Sequence, residues 1–324
     1  MAVKSSGSSL AVSEIVTEFG GSTPHSLSEY YAGGSNVPSG TTGEGGAIPT
    51  SGAISIGQFY GSTNRVAISL NTGVTNDYNI FDNRGGTYVA GFSDITVTVD
   101  GRVGSTSTST PALDTGSGWT SGDTITIIVN AFILGKGGAG GNGGNATASS
   151  PGAGSAGGAG GTALNLQYDV TIDQNSEING GGGGGGGGGG VSGIQQVGFQ
   201  QIRVISGGGG GGGGTGKTQS SGGSGGTASG ATNFSGNKDG SSGSASSQTA
   251  GGSGGSGGST SGAIGGDGGN GGGKGAAGSA GDEGSGNLSS VGSAGGAAGK
   301  AIALNGNTAT FVDGDQGTIN GAIS

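Results

Sequence analysis

GGGGGGGGGGG occupies residues 180–190, and GGGGGGGG follows at residues 207–214. Around these two runs the chain continues in glycine-glycine-X triplets, such as GGN at residues 140–142 and again at residues 143–145. A polyproline-II-type helix has about three residues per turn and no internal hydrogen bonds, so its N–H and C=O groups point sideways. The period of three therefore predicts glycine-rich helices of this type, the arrangement known as polyglycine-II.

Neighbouring glycine helices can satisfy each other's backbone groups, because glycine alone allows the necessary close approach. A triplet helix has one edge with side chains, which places it on the outside of a bundle. The run at 180–190 has no side chains and would span about 34 Å, since each residue rises about 3.1 Å. We therefore expect this run at the centre of the bundle.

Two other interpretations of the glycine content are collagen and a disordered linker. Collagen needs one glycine in three together with abundant proline, whereas this chain has 91 glycines and only five prolines. A disordered linker would fit the composition, because ordering a residue costs about 1–2 kcal/mol. However, a linker has no need of the repeated sequences that flank the glycine tracts, so we favour an ordered structure.

The flanking repeat consists of a strand, a turn and a second short strand, and it occurs at 124–135, 170–179 and 308–321. Alternating apolar residues within each strand indicate half-buried strands, and Asn, Asp and Gly between them indicate tight turns. Residues 161–166 and 299–304 also resemble each other. We interpret them as segments that return from the glycine helices into a stack of short strands.

Composition divides the chain into residues 1–62, 63–136 and 137–324. The predicted fold class is all-β plus polyglycine-II. The middle unit contains four strand-like stretches separated by turn residues, which predicts a small β-sandwich. Trp119, the only tryptophan, lies in a loop between these stretches, and we expect it to pack rather than to bind sugar.

Charge and cysteine content exclude several functions. The net charge of −9 argues against nucleic acid and against an anionic membrane surface. The absence of cysteine removes disulfides, thiolate metal sites and cysteine nucleophiles. No apolar run reaches the length of a membrane span, and no signal peptide is recognisable. We expect a soluble protein made in the cytoplasm, with no membrane insertion.

No catalytic, metal or cofactor site is predicted. Residues 211–218 match the phosphate-loop pattern, but the sequence after them cannot form the required helix. Asp267 and Asn270 resemble calcium-binding glycine repeats without the apolar residue of that repeat. His25 is the only histidine, which leaves no histidine metal cluster, and no carboxylate pair is distinguished. We expect a protein that is not an enzyme.

The N-terminal unit contains two similar stretches at 10–21 and 53–61, each predicted as a short strand, a serine-capped turn, an aromatic residue and a glycine. Between them, Ser26 and Glu29 have capping-box spacing. Such small motifs are not expected to bury a core alone, so we interpret residues 1–62 as a segment that attaches to a partner. A small independent domain is the alternative.

The segment at 191–205 joins the two longest glycine runs, and it is the only apolar, aromatic and basic stretch in the distal half. If the two runs are antiparallel neighbours, this segment caps one end of the bundle, where loops commonly carry binding function. A hairpin lid that only seals the bundle is an equal alternative. With further loops at 145–155 and 227–250, the candidate recognition residues are Ile194, Gln196, Phe199, Gln201, Arg203, Phe234 and Lys238.

The N-terminal phrase EFGG at 18–21, with SLSEYY at 26–31 and FYG at 59–61, resembles a stretch found in many tailed-bacteriophage virion proteins. The glycine-rich half resembles the distal tail-fibre adhesins of T-even-like phages. Residues 63–136 have no recognised counterpart in those adhesins. The resemblance implies a docking domain, a rigid polyglycine-II module and end loops that bind a bacterial receptor. The implied attachment residues are Phe19, Pro24, Leu27, Tyr30, Tyr31, Phe59 and Tyr60.

These observations predict a phage tail-fibre or tail-tip adhesin located in the virion tail. Its expected partners are other phage tail proteins, bound through the N-terminal segment, and a bacterial surface protein or polysaccharide. A homo-oligomer is also compatible with the resemblance. A purely structural tail component acting as a stiff spacer is the second interpretation. An ice-binding protein, which can also use glycine-glycine-X triplets, is the third.

Overall fold

The computed structural model describes residues 2–229, 237–312 and 318–324. Strands and glycine-rich segments dominate these residues, and the single α-helix among them is Val12–Phe19. Two short 3₁₀ helices, Leu27–Tyr30 and Ile56–Phe59, also lie in the N-terminal unit. No helix in the described part is both long and apolar enough to cross a bilayer.

The N-terminal unit differs from the sequence prediction in two ways. The predicted strand near residues 10–17 is helical, and Ile15 and Phe19 are buried one helical turn apart. The unit also has its own core, centred on Phe59 and Tyr30, which the sequence was not expected to provide. Ser26 caps the first 3₁₀ helix as predicted, because its Oγ accepts from the Ser28 N–H at 3.4 Å. A two-stranded antiparallel sheet completes the unit, with strands Thr42–Gly43 and Gly46–Ala47.

A second group of strands forms a stack of coils, in which every strand pairs in parallel with the equivalent strand of the next coil. We call it the β-stack. Three sheets run along it. The strands of the first sheet are Val66–Asn71, Ser93–Val99, Thr124–Val129, Val170–Gln174 and Ala309–Phe311. Those of the second are Thr75–Asn76, Val103–Gly104, Ile133–Leu134, Ile178–Asn179 and Ile319–Asn320. Those of the third are Tyr78–Asn79, Leu113–Asp114, Leu164–Asn165 and Ile302–Ala303.

Each of the first four coils contributes one strand to each sheet and the fifth contributes to the first two, so the β-stack is a short three-sided parallel β-helix. Its core is built from the inward residues of all three sheets. In Ser93–Val99, for example, every second residue is buried and the residues between them are partly exposed. The small β-sandwich predicted for residues 63–136 is therefore wrong. Alternation identified the buried face correctly, but it does not determine which strand lies beside which.

The repeats recognised in the sequence are the third, fourth and fifth coils. Residues 161–166 and 299–304 contain third-sheet strands that pair directly, Leu164 with Ile302 and Asn165 with Ala303. The β-stack thus includes residues on both sides of position 136. The division into 1–62, 63–136 and 137–324 stays a prediction. The three sheets run across its second boundary.

Glycine-rich segments leave the β-stack after the second-sheet strand of the third and fourth coils and return before the third-sheet strand. There are ten such segments in the described residues, which we number first to tenth and together call the glycine bundle. They span 137–144, 152–161, 180–190, 207–215, 220–226, 240–246, 250–258, 265–273, 276–284 and 290–299.

The run at 180–190 donates hydrogen bonds to three neighbours in strict rotation. Gly181 and Gly184 donate to the second segment, Gly182 and Gly185 to the fourth, and Gly183 to the ninth. Its carbonyls accept in the same rotation from the first, eighth and tenth segments. Every residue of the run is buried. The position predicted from the sequence, at the centre of the bundle, is confirmed.

The hydrogen-bonded neighbours of all ten segments form three layers. One outer layer contains the second, first and fifth segments, and the other contains the ninth, eighth and seventh. The middle layer contains the tenth, third, fourth and sixth. The two long glycine runs are adjacent and antiparallel, since Gly185 donates to Gly212 and Gly188 donates to Gly209. Among the described segments, the third and fourth each have six neighbours, and the two glycine runs fill these two positions.

Candidate functional site

Five loops lie at the end of the glycine bundle opposite the β-stack, which we call the distal end. Their described residues are 145–151, 191–206, 227–229 with 237–239, 259–264 and 285–289, and each loop connects two successive segments. Short strands join these loops to one another. The strands are Ala146–Thr147, Val191–Val197, Gln200–Ser206, Ala228–Ser229, Asn237–Lys238, Ser259–Thr260, Ala263–Ile264 and Leu288–Ser289. A compact loop surface results, carried on the ends of the glycine segments.

The longest of these loops is a β-hairpin at 191–206, which we call the distal hairpin. Val191 pairs with Ser206 at its base and Val197 pairs with Gln200 at its tip. The turn contains Gly198, whose φ of 62° suits glycine. The sequence predicted that this segment caps the bundle if the flanking runs are antiparallel neighbours, and that arrangement is confirmed.

The base of the distal hairpin is buried and fixed to three other loops. Ser192 donates through Oγ to the carbonyl of Ala148 at 3.1 Å. The Ile194 N–H donates to Oδ1 of Asn287 at 3.0 Å, and Ser206 donates through Oγ to the carbonyl of Ala263 at 2.9 Å. A small apolar cluster of Val191, Val204 and Ala263 lies beneath. The base thus seals the bundle, as the lid interpretation expected.

The outer half of the distal hairpin projects into solvent with apolar side chains uncovered. Phe199 at the turn is 104% exposed relative to a free residue, and Ile194 and Val197 are each more than 40% exposed. Ile264 and Leu288, on neighbouring loops, are similarly exposed. Uncovered apolar side chains are thus present at the distal end on the hairpin and on two neighbouring loops.

The recognition residues predicted from the sequence lie together on this surface. Ile194, Gln196, Phe199, Gln201 and Arg203 are all exposed on the distal hairpin. Arg203 donates to the carbonyl of Ala148, which holds its guanidinium beside the neighbouring loop. The role of these residues in binding stays a prediction.

Two predicted residues belong to the loop at 227–239. Lys238 is exposed on a strand that pairs with the hairpin base, where it lies opposite Ser206. Phe234 lies outside the described residues. Ile264, Asn287 and Leu288 were missed by sequence reasoning. They could have been identified from the sequence, because these apolar and Asn residues interrupt an otherwise polar glycine-rich pattern.

The predicted attachment residues divide into two groups. Phe19, Tyr30 and Phe59 are buried and form the aromatic centre of the N-terminal core. The Phe59 ring lies edge-on to Phe19 at 5.9 Å and to Tyr30 at 6.3 Å between centroids. These three side chains are therefore part of the interior and not of a contact surface. Aromatic content could not distinguish the two roles.

The other four predicted attachment residues remain accessible. Pro24 is exposed, and Leu27, Tyr31 and Tyr60 are partly exposed. The Tyr60 hydroxyl donates to the carbonyl of Ser8 at 2.5 Å, which holds the ring at the surface. Their part in attachment stays a prediction.

The motifs that resemble ligand sites have structural roles. Lys217, in the phosphate-loop pattern, donates to the carbonyls of Thr75 and Arg102 and so ties the bundle to the β-stack. Burial lowers the pKa of Lys217, with a further contribution from Arg102. Asp267 and Asn270 accept hydrogen bonds from the backbone N–H groups of the adjacent seventh segment. Within the described ranges, no group of His, Cys, Asp and Glu could hold a metal ion.

Trp119 packs as expected. Its indole N–H donates to the carbonyl of Thr115 at 2.9 Å, and its ring lies edge-on to Phe81 and Tyr88, with centroids 4.9 and 5.6 Å away. Arg84 lies over the Phe81 ring at 3.6 Å. The polar end of the tryptophan is thus satisfied within the protein, and its faces are used in packing.

One family model relates part of the chain to phage tail fibres. Residues 62–203 match the family model described as phage tail fibre adhesin Gp38. No curated protein sequence matches the chain. Among solved structures, a chain of the gp37–gp38 adhesin tip complex of the bacteriophage S16 long tail fibre is similar. It shows 22% identity and a TM-score of 0.45, and 100% of each chain is covered.

The family match includes residues 63–136, for which the sequence analysis found no counterpart in the adhesins, and that part of the analysis is corrected. It also extends through the outer half of the distal hairpin to Arg203. The match confirms the resemblance drawn from the sequence: the chain is a phage tail-fibre or tail-tip protein that resembles the Gp38 adhesins over residues 62–203.

Proposed function

We propose that this chain is a tail adhesin that recognises a bacterial cell-surface receptor, without covalent chemistry, through the distal hairpin and its neighbouring loops. The observation that carries the proposal is the fully exposed Phe199 at the tip of a hairpin whose base is bonded to three other loops. The match to the phage tail fibre adhesins supports the same class of function.

The proposal assigns the glycine bundle the role of a rigid polyglycine-II scaffold. The rotation of hydrogen-bond partners with a period of three supports this assignment, since a helix with about three residues per turn would produce it. Each central residue donates to one neighbour and accepts from another, so bending one segment would break bonds to several. Such a scaffold would hold the distal loops in fixed relative positions, which reduces the ordering cost of binding.

The chemistry of the distal end favours a protein receptor. Apolar side chains lie near the aromatic tip at Phe199, and the exposed charged residues nearby include Arg203, Lys238 and Asp239. Aromatic anchors together with arginine are the residues most enriched at energetically important positions of protein interfaces. A polysaccharide would instead require more hydroxyl and amide groups facing the ligand.

The proposal places the opposite end of the molecule in the virion. The accessible surface around Pro24, Leu27, Tyr31 and Tyr60 would then contact another tail protein. Because the N-terminal unit has its own core, the contact would join two folded surfaces and would not require the segment to fold on binding.

The test is a binding assay of the purified chain on cells of the host bacterium. Phe199→Ser should reduce cell binding by about tenfold or more, because truncating an interface anchor commonly costs 2 kcal/mol or more. Val74→Ser is the matched control, since Val74 is also highly exposed (78%) but lies in the β-stack. Both variants should unfold at the temperature of the parent protein.

A stiff spacer without receptor binding is the second candidate, favoured by the length and regularity of the bundle. If Phe199→Ser and a variant with residues 195–202 replaced by a short glycine turn both bind cells like the parent, the adhesin proposal is wrong. If neither the parent nor the variants bind cells although virions assemble normally, the spacer is supported.

A further inference from the structure

One flank of the glycine bundle carries hydrogen bonds between a side chain of one segment and a backbone N–H of its neighbour. We call these hydrogen bonds clips. In the outer layer formed by the second, first and fifth segments, Asn142 accepts through Oδ1 from the Ser224 N–H at 2.9 Å. One triplet further out, Asn145 accepts in the same way from the Thr227 N–H at 2.8 Å. On the other side of the first segment, the Asn142 N–H donates to Oγ of Ser155 at 2.7 Å. Each clip satisfies a backbone group that lacks a neighbouring glycine segment.

The pattern is broken one triplet nearer the β-stack. The backbone register continues unchanged, because Gly140 donates to the carbonyl of Ser221 just as Gly143 donates to that of Ser224. At this level, however, the first segment has Ala139 in place of an asparagine. The second segment has Gly158 opposite it, where the next level has Ser155.

Ala139 therefore stands where the next two levels have an asparagine clip, while Gly158 faces it as Gly152 faces Asn145. The backbone N–H groups of Ala139 and Ser221 have no acceptor among the described residues. The side chains of Thr108 and Gln219, nearby, also make no hydrogen bond within the part of the chain described. A cleft of about 580 Å³ lies at this level, within the usual range for small-ligand sites.

A positive charge lies at the edge of the cleft. Lys136 donates to Oγ1 of Thr218 at 2.6 Å and to the carbonyl of Gln219 at 3.0 Å. An ammonium group has three N–H donors, so one remains available. Burial lowers the pKa of Lys136, and none of the residues lining the cleft is acidic.

We infer that this cleft binds a carboxylate-bearing saccharide. The two backbone N–H groups and the spare ammonium group are all donors, and a carboxylate is the preferred partner because charged acceptors make the strongest hydrogen bonds to such donors. Thr108 and Gln219 provide the donor and acceptor groups that ring hydroxyls need. The site is distinct from the distal hairpin and does not depend on the function proposed for it.

The experiment is ligand-observed NMR with the full chain, using sodium glucuronate, glucose and sodium acetate as probes. Glucuronate should bind about tenfold or more tightly than glucose, because the carboxylate forms charge-assisted hydrogen bonds. Acetate should compete only weakly, since it lacks the ring. Equal binding of glucuronate and glucose, or the absence of glucuronate binding, would overturn the inference. Acetate binding as tight as that of glucuronate would show a carboxylate site and reject the saccharide.

Ala139→Asn is the decisive variant. It restores the clip to the Ser221 N–H and fills the cleft, so it should abolish glucuronate binding while the protein unfolds at the same or a higher temperature. Asn142→Ala is the control, because it removes a clip at the next level, away from Lys136, and should leave glucuronate binding unchanged. Retention of binding by Ala139→Asn would reject the cleft as the site. Cell binding through Phe199 should be the same in both variants, which separates this site from the adhesin proposal.

Discussion

The Asn142 side chain, on the first glycine segment, accepts a hydrogen bond from the backbone N–H of Ser224 on the adjacent fifth segment, with 2.9 Å between Oδ1 and N. Asn145 with Thr227, Asn270 with Gly254 and Asp267 with Gly257 repeat the contact. Asn142 lies on the first segment and Asn145 directly follows it, while Asp267 and Asn270 lie on the eighth, and these two segments occupy the middles of the two outer layers. The side chain at the X position of a triplet can therefore accept a hydrogen bond from a backbone N–H. In a fully surrounded segment, the carbonyl of a further glycine segment would accept that bond.

Asn142→Ala should lower the free energy of unfolding by about 0.5–1.5 kcal/mol, the usual net value of one hydrogen bond. Asn142→Asp keeps an acceptor at the same place and should restore most of the loss. Thermal unfolding of the three proteins measures the effect. Equal unfolding temperatures for the alanine variant and the parent would mean that water replaces the side chain at no cost.

The glycine content of the bundle should be essential only where another backbone lies against it. A Cβ added at Gly269 would meet the carbonyl oxygen of Ser279 at 2.2 Å, whereas one added at Gly273, in the same segment, would meet nothing within 4 Å. Gly269→Ala should therefore prevent the eighth segment from packing and reduce the yield of soluble protein. Gly273→Ala should fold with the thermal stability of the parent. Similar behaviour of the two variants would contradict the close packing of the segments.

Much of this bundle could be predicted from the sequence, and the reason is physical. A run without side chains at 180–190 can be surrounded completely, and its period of three follows from helix geometry. The β-stack could be predicted only in part. Alternation in 124–129 and 170–174 identified strands and their buried face, but parallel pairing between successive coils depends on contacts that a single strand does not encode.

The candidate site was predicted to a similar extent. The sequence identified residues 191–205 because an apolar stretch between two glycine runs is conspicuous. It could not separate the buried base, with Val191 and Val204, from the exposed tip at Phe199. That distinction depends on how the loops at 145–151 and 259–264 pack around the hairpin. The aromatic residues of the N-terminal unit posed the same difficulty, since Phe59 is buried and Tyr60 is partly exposed.

Acid should weaken the junction between the bundle and the β-stack. Glu177 and Lys274 form an ion pair with 2.6 Å between Oε2 and Nζ. The hydrogen bond from Lys274 lowers the pKa of Glu177 from its ordinary value of 4.5. Because the folded-state pKa is depressed, the pair stabilises the protein fully above that value, and the contribution is lost as pH falls through the folded-state pKa.

Glu177→Gln should therefore destabilise the protein by about 0.5–1 kcal/mol at pH 7, since both side chains are partly exposed. At a pH below the folded-state pKa the variant and the parent should have the same unfolding temperature. Melting curves across pH 2–7 measure the difference. A difference that stays constant across this range would show that the glutamine acts through packing and not through loss of the charge.

We expect the N-terminal unit to unfold independently of the β-stack and the glycine bundle when its aromatic core is disrupted. Phe59 is fully buried between Phe19 and Tyr30, and this cluster shares no buried residue with the core of the β-stack. Phe59→Ala should cost about 3–5 kcal/mol, which is a large part of the stability of so small a unit. Residues 2–62 should then be cut by protease under native conditions while the β-stack and bundle stay intact.

Phe199→Ala is the matched control, because a fully exposed phenylalanine contributes little to stability. If Phe59→Ala instead makes the whole chain sensitive to protease, the N-terminal unit and the β-stack fold as one cooperative body.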